Sequence, residues 1–343
     1  VDRSLFFDPA PVLDDFLRQA TVILDTNVLL DLYRLSPESR ESTLNVLHAV
    51  RNRVWLPHQV GVEFYRNLDN VRGEIGGAYD AARKMIRGLA DSVAGPKGHF
   101  REGRAFEETR TAVRKAIDAS AKALADQLDH LQAADPACID PHDDAVLRRI
   151  EGTFAGRTGQ RPDFVTLADR AERFVSRASM QIPPGYTDLG KGSAMQAAGD
   201  YLVWCEVLDH AHGAKTDVLF VTGDGKDDWW DGPRGRRTGP RKELIHEFIS
   251  VTGRAYHQVT HARFVERAQT VLRTKVDRVA VEEIRTVERQ TSAEDQALAE
   301  MIEDARAVGI LGWDPHSGQP AGPEGWEAEN EHQPVGPRWH LDG

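Results

Sequence analysis

Two short apolar runs constrain this chain more than any other feature. "TVILD" from Thr21 and "TDVLFVTGD" from Thr216 each string together β-branched and aliphatic residues, and each closes on an acid, Asp25 in the first and Asp224 in the second. Runs of this kind read as buried strands. Each is followed by helical sequence, "VLLDLY" after the first and "KELIHEF" after the second. A further strand, "RVWLP" from Arg53, leads through Pro57 into "HQVGVEFYRNL", whose Val60, Phe64 and Leu68 share one helical face. Alternating strands and helices predict an α/β fold around a mostly parallel central sheet.

Between these segments the character changes. From about Val71 to Ile150 the chain is Ala-, Arg- and Glu-rich, with apolar positions at three- and four-residue steps and breakers at "AGPKG" and "ADPACIDPHDD". This predicts a helical insertion, with "DPHDD" read as a helix start rather than a ligand cluster. The expected organisation is a first half of the core over 1–72, the insertion over 73–180, the second half over 181–270, a helical segment over 271–312 and a disordered acidic Pro/Gly-rich tail over 313–343. Only two cysteines occur, Cys138 and Cys205, with no CxxC, so free thiols are expected. No run has the length of a membrane span, and "VDRSLFFDPAP" lacks a signal-peptide layout, so the expected location is cytoplasmic.

Net charge bears on partners. The chain carries −11, but Ala280 to Gly343 holds 14 acids against 4 bases, leaving the first 279 residues close to neutral. A nearly neutral body can carry a basic groove. Lys226, Arg234, Arg236, Arg237, Arg241 and Lys242 supply six positive charges within 17 residues, in a Gly/Pro-rich loop after the second apolar run. These, with Lys191 in "PPGYTDLGK", are the candidates for phosphate-backbone contact. The acidic segment beyond Ala280 is a candidate to fold over that loop as a nucleic-acid mimic. Trp229 and Trp230 read as core anchors of the loop rather than base-stacking platforms.

In an open parallel sheet, ligands bind outside the carboxyl ends of the strands. Asp25 and Asp224 sit at two such ends. Glu63 and Asp200 sit in the first turns of helices that start at the same edge. Taken singly, Asp25 and Asp200 read as helix N-caps, Glu63 as a solvated helix residue and Asp224 as a turn former. Taken together, four converging acids repel one another unless a cation sits among them, and Mg²⁺ or Mn²⁺, one ion or two, suits hard oxygen ligands.

These residues resemble the PIN domain nucleases, in the bacterial PIN-like branch with an enlarged helical insertion. "VILDTNVLLDLY", "LPHQVGVEFYRNL", "GDYLVW" and "VLFVTGDGKDDWW" are similar to its four motifs, and "IPPGYTDLGK" and "GPRKELIHEF" to further segments of that branch. The resemblance implies a three-layer α/β sandwich and a metal-dependent endonuclease. It implies Asp25, Glu63, Asp200 and Asp224 as catalytic metal ligands, Asp228 as a fifth acid, and Asn27 as a group holding a carboxylate or metal-bound water in place. It favours RNA over DNA as substrate, implies 5′-phosphate and 3′-hydroxyl products, and sets such proteins among toxins and phage-defence effectors. A homodimer or a regulatory protein partner is a separate expectation, and the composition of the helical insertion leaves open whether it binds a partner, clamps the substrate or mediates dimerisation. Where many relatives carry an acid before the last motif's Asp, this chain has Gly223. The competing readings are a structure-specific DNA nuclease, a non-catalytic nucleic-acid-binding module, and a haloacid-dehalogenase-like phosphotransferase. The last wants a second Asp where Asn27 stands.

Overall fold

The computed structural model describes residues 13–94, 104–138, 140–190, 193–232, 239–307, 312–313 and 320–321. The chain opens with α1 (Leu13–Gln19) and β1 (Thr21–Leu24), followed by α2 (Thr26–Arg34) and α3 (Pro37–Val50). β2 (Val54–Trp55) precedes two long helices, α4 (His58–Ala94) and α5 (Arg104–Ala134), then α6 (Ala145–Phe154) and α7 (Phe164–Ser179). After the Pro/Gly loop come one helical turn at Ala194–Ala197, α8 (Gly199–Ala214) and β3 (Val218–Thr222). A small antiparallel pair, β4 (Trp230–Asp231) and β5 (Gly239–Pro240), leads to α9 (Lys242–Thr252), β6 (Tyr256–Thr260), α10 (His261–Val271) and α11 (Ala280–Ala307).

The four strands of the central sheet run in the order β2-β1-β3-β6, and every pairing is parallel. This is the α/β architecture that the apolar runs predict. β1 and β3 are buried along almost their whole length because helices cover both faces. α8 carries apolar side chains all around, with Leu202, Val203, Trp204 and Val207 nearly inaccessible, as a helix at the centre of the core must. The chain leaves β1 for β2 on one side and returns to β3 on the other. The order therefore reverses between β1 and β3, which is where a parallel sheet opens its ligand crevice.

Val60, Phe64, Leu68 and Val71 pack α4 against the core. Beyond Val71 the same helix continues without a break, so the boundary expected at residue 72 falls inside a single element. An amphipathic stripe that changes partner, from core to α5, keeps its period, and the sequence pattern cannot mark the change. Arg83 pairs with Asp129 at 2.8 Å, Arg114 with Asp91 at 2.9 Å, and the Tyr79 hydroxyl donates to Asp135 at 2.9 Å, tying α4 to α5 and the turn after it. The segment expected to stand apart also feeds the core. Ile150, Phe154 and Phe174 are buried, and Thr158 extends the sheet by bridging Leu56. Asp144 caps α6 through the amides of Val146 and Leu147, so "DPHDD" is indeed a helix start.

The chain forms two compact units, 1–294 and 295–343. The first half of α11 belongs to the larger one: Ala280, Ile284 and Val287 are buried, Glu283 accepts from the Ser36 amide at 2.6 Å, and Glu288 from the Ala262 amide at 3.0 Å. These acids serve helix docking, so residues 280–294 are not a detachable acidic appendage. The smaller unit contains the end of α11 and a short antiparallel pair, β7 (Gly312–Trp313) with β8 (Pro320–Ala321). The rest of the expected tail lies outside the described residues. Among the described residues no helix is long and apolar enough to cross a membrane.

Candidate functional site

The parallel register sets Leu24 beside Val221, so Asp25 and Thr222 leave the sheet together. The Asp25 amide donates to the Val221 carbonyl at 2.9 Å, and the Thr222 hydroxyl donates to Asp25 Oδ2 at 2.6 Å. Asp25 is also the N-cap of α2, with Oδ1 accepting from the Thr26 amide at 2.7 Å, while the Asn27 amide donates to Oδ2 at 3.1 Å. Capping and site membership are thus one arrangement: the cap fixes the carboxylate at the crevice. Asn27 holds the other side as well, since its Oδ1 accepts from the Gly223 amide at 2.8 Å.

Glu63 faces this carboxylate from the second turn of α4. Thr26 Oγ donates to its Oε2 at 3.1 Å and Gln59 to its Oε1 at 2.8 Å. The space it occupies exists because residue 199 is glycine: a β-carbon there would lie 2.6 Å from Glu63 Oε1. The start of α4 is itself fixed by Glu206, which accepts from the amides of His58 and Gln59, a carboxylate placed where the helix dipole favours one. Burial pushes the Glu206 carboxyl up to about 7, against the opposing effect of those two amides.

Asp224 continues from Thr222. Its amide donates to Thr222 Oγ at 2.9 Å, its Oδ1 accepts from the Lys226 amide at 2.8 Å, and its carbonyl accepts from Trp230 Nε1 at 2.6 Å. Trp229 stacks on Phe220 with ring centroids 5.1 Å apart and meets Trp204 edge-on. The tryptophan pair therefore anchors the loop, as the core-anchor reading holds.

The second half of the site departs from expectation. Lys226, expected among the phosphate contacts, turns inward: its ammonium lies 2.9 Å from Asp188 Oδ2, 3.2 Å from Asp200 Oδ2 and 3.1 Å from Asp224 Oδ2. Three carboxylates in a sheltered crevice hold a cation far better than one solvated phosphate does, which is why the side chain turns inward. Burial favours the neutral amine, but Asp200, Asp224, Asp188 and Asp228 outweigh it and raise the group well above the ordinary lysine range. Asp200 lies in the first turn of α8 without capping it; Trp229 Nε1 also donates to its Oδ2, at 3.3 Å. Burial raises its carboxyl well above the usual range, only partly offset by Lys226.

Asp228 is fully buried beside Lys226, and its Oδ2 accepts from Gly185 and Thr187, which fastens the Pro/Gly loop to the site. Gly185 has φ 86°, the left-handed region glycine adopts without strain, and turns that loop back toward Asp200. Arg241 pairs with Glu243 at 2.8 Å. Lys191, Arg234, Arg236 and Arg237 lie outside the described residues.

The expected four acids thus fall into two groups that share Asp224. Asp25 and Glu63 have no Lys or Arg partner among the described residues, and burial, with Asp224 and Glu63 nearby, raises the Asp25 carboxyl to about 6 despite the Thr222 hydrogen bond. Asp188 and Asp200 are served by Lys226. Among the described residues no three acids stand close enough to grip a metal ion by themselves. Linkers, the hydroxyls of Thr26 and Thr222, lie between Asp25 and its neighbours. The sequence reading missed Asp188, Thr222 and Gln59; an acid in a Pro/Gly loop, "PPGYTDLG", was the one visible trace.

A parallel sheet with carboxylates gathered at its strand-order reversal defines an α/β protein with an acidic crevice. A family model of the PIN-like domain matches residues 21–244, more than half of the chain, and the chain belongs to that family. The match runs through the helical segment and takes in β1, β2 and β3, ending before β6. Domains of this family are nucleases that typically use divalent metal ions. No curated protein and no solved structure matches the chain.

Proposed function

We propose that the protein is a metal-dependent endonuclease hydrolysing phosphodiester bonds, with Asp25, Glu63 and Asp224 as its central acids. The observation that carries the reading is the uncompensated pair Asp25 and Glu63 at the strand-order reversal, linked to each other through Thr26 and to Asp224 through Thr222. The donors are hard carboxylate oxygens, and neighbouring Asp224 and Glu63 add to the burial that raises the Asp25 carboxyl, so Mg²⁺ or Mn²⁺ suits the acid set. Bound there, such an ion supplies an activated water and charge stabilisation on the attacked phosphate. Thr222 and Asn27 orient Asp25, Gln59 and Thr26 orient Glu63, and Asp200 and Asp188 complete the acidic wall through Lys226. Single-stranded or structured RNA is the substrate we favour, on the resemblance of the motifs, with structure-specific DNA cleavage second. A cytoplasmic toxin or phage-defence effector is the matching setting.

One observation favours a second reading, a nucleic-acid-binding module without catalysis: Lys226 already neutralises part of the acid set. End-labelled single-stranded RNA, single-stranded DNA and flap DNA, incubated with Mg²⁺, Mn²⁺ or EDTA, separate the two. Metal-dependent cleavage that disappears in Asp25→Asn supports the nuclease. Binding without cleavage of any of them, in any metal, favours the module.

A further inference from the structure

Lys226 stands in the last motif of a metal-using family, yet its ammonium lies where a second cation of the acid cluster would lie. Three carboxylates from three different segments meet it: Asp188 from the Pro/Gly loop, Asp200 from α8 and Asp224 from the end of β3, at 2.9, 3.2 and 3.1 Å. The lysine is not a chance visitor to that position. Its own backbone amide is fixed by Asp224 Oδ1 at 2.8 Å. The residues that follow it are anchored by Trp229 on Phe220 and by Trp230 on the Asp224 carbonyl. Asp228, two residues on, is tied to Gly185 and Thr187, so the loop that brings Asp188 is locked to the loop that brings Lys226. Only a fifth of the lysine side chain is exposed.

Asp25 and Glu63 stand in contrast. Their oxygens are met by the Thr26 amide and the neutral donors of Thr26, Asn27, Thr222 and Gln59, and among the described residues by no cation. A wall of five acids with one tethered charge at one end has its deficit at the other. From this we infer that Lys226 is the resident cation of the Asp188–Asp200–Asp224 half, so that the protein takes up one divalent ion, on the Asp25–Glu63–Asp224 side, instead of two. Lys226 is then a positioning residue: its ammonium fixes Asp224, and it keeps Asp188 and Asp200 from collecting a metal. A fixed ammonium cannot ionise a water as a metal does, so the half it occupies balances charge and positions Asp224. The inference rests on the metal-binding reading given above.

The test counts ions on the full chain rather than cleavage. Mn²⁺ is titrated into metal-free protein, with bound ion measured by calorimetry and free Mn²⁺ by its electron paramagnetic resonance signal. Wild type is expected to saturate at one Mn²⁺ per chain. Lys226→Gln, which keeps a donor but loses the charge, is expected to double that to two, and Lys226→Arg to return it to one. Two ions on the wild type, or one ion on a folded Lys226→Gln, overturns the inference while leaving the metal reading intact. No Mn²⁺ on the wild type removes the metal reading and the inference with it. If Lys226→Gln proves unfolded by circular dichroism, the wild-type count and the exchange-coupled signal of a neighbouring ion pair, expected to be absent, still decide the matter.

Discussion

Replacing Asp25 by Asn separates what this residue does for function from what it costs the fold. The carboxyl is raised from 3.8 to about 6, chiefly by burial and then by Asp224 and Glu63, with Thr222 and Thr26 opposing. A raised carboxyl binds its proton more tightly in the folded state, so stability falls as pH rises from the unfolded value through the folded one. At pH 8 the ionised group costs about 3 kcal/mol, the shift converted at about 1.36 kcal/mol per unit. Asparagine removes that cost. It also forfeits one or two of the three hydrogen bonds Asp25 accepts, from Thr26, Thr222 and Asn27, at about 1 kcal/mol each. In EDTA at pH 8, Asp25→Asn should therefore be about 1 to 2 kcal/mol more stable than wild type by urea denaturation. At pH 3, below both the folded and the unfolded value, the order should reverse by about 1 to 2 kcal/mol, since only the lost hydrogen bonds remain. Mn²⁺ at a hundred times its dissociation constant should return about 2.7 kcal/mol to the wild type and far less to the mutant. A mutant destabilised equally at both pH values would refute the argument, because it would mean the charge carries no penalty in this crevice.

Gly199→Ala should leave the urea midpoint within about 1 kcal/mol of wild type, since the clash falls on the mobile end of Glu63, but lower Mn²⁺ affinity by about 10-fold or more; unchanged affinity in calorimetry would remove Glu63 from the ligand set. Asp144→Ala strips a fully buried carboxylate from the Tyr33 hydroxyl and the Arg72 guanidinium, both at 2.5 Å, and uncaps α6. A loss of about 3 to 5 kcal/mol is expected, because Arg72 is left sheltered with only the exposed Asp69, 3.8 Å away, as a carboxylate partner, and a loss under about 1 kcal/mol in chemical denaturation would contradict that account.

What the sequence revealed was governed by local physics. A β-branched run ending at Asp25 or Asp224 is a strand that stops at a crevice, and both strands lie where the pattern puts them. Lys226 was opaque because two of its three acid partners, Asp188 and Asp200, are 38 and 26 residues away in the chain, and only loop closure brings them together. Read locally, "GDGKDD" is a hydrophilic turn, and a lysine in it looks solvated. The partners of Asp228 were hidden in the same way, since the amides and hydroxyl that hold its Oδ2 lie 41 and 43 residues distant. The extent of α4 escaped because an apolar stripe does not announce when it changes what it packs against.

That last helix works as a beam with unequal arms. Val71 is the last of its residues buried in the core, and the 23 residues beyond it to Ala94 project about 35 Å at about 1.5 Å per residue, whereas Glu63 lies only about 12 Å on the other side. A sideways displacement of the far end, pivoting about Val71, reaches Glu63 reduced about threefold. Bending the tip by about 3 Å moves the carboxylate by about 1 Å, enough to break its hydrogen bonds to Thr26 and Gln59, while ordinary thermal sway of the tip leaves them intact.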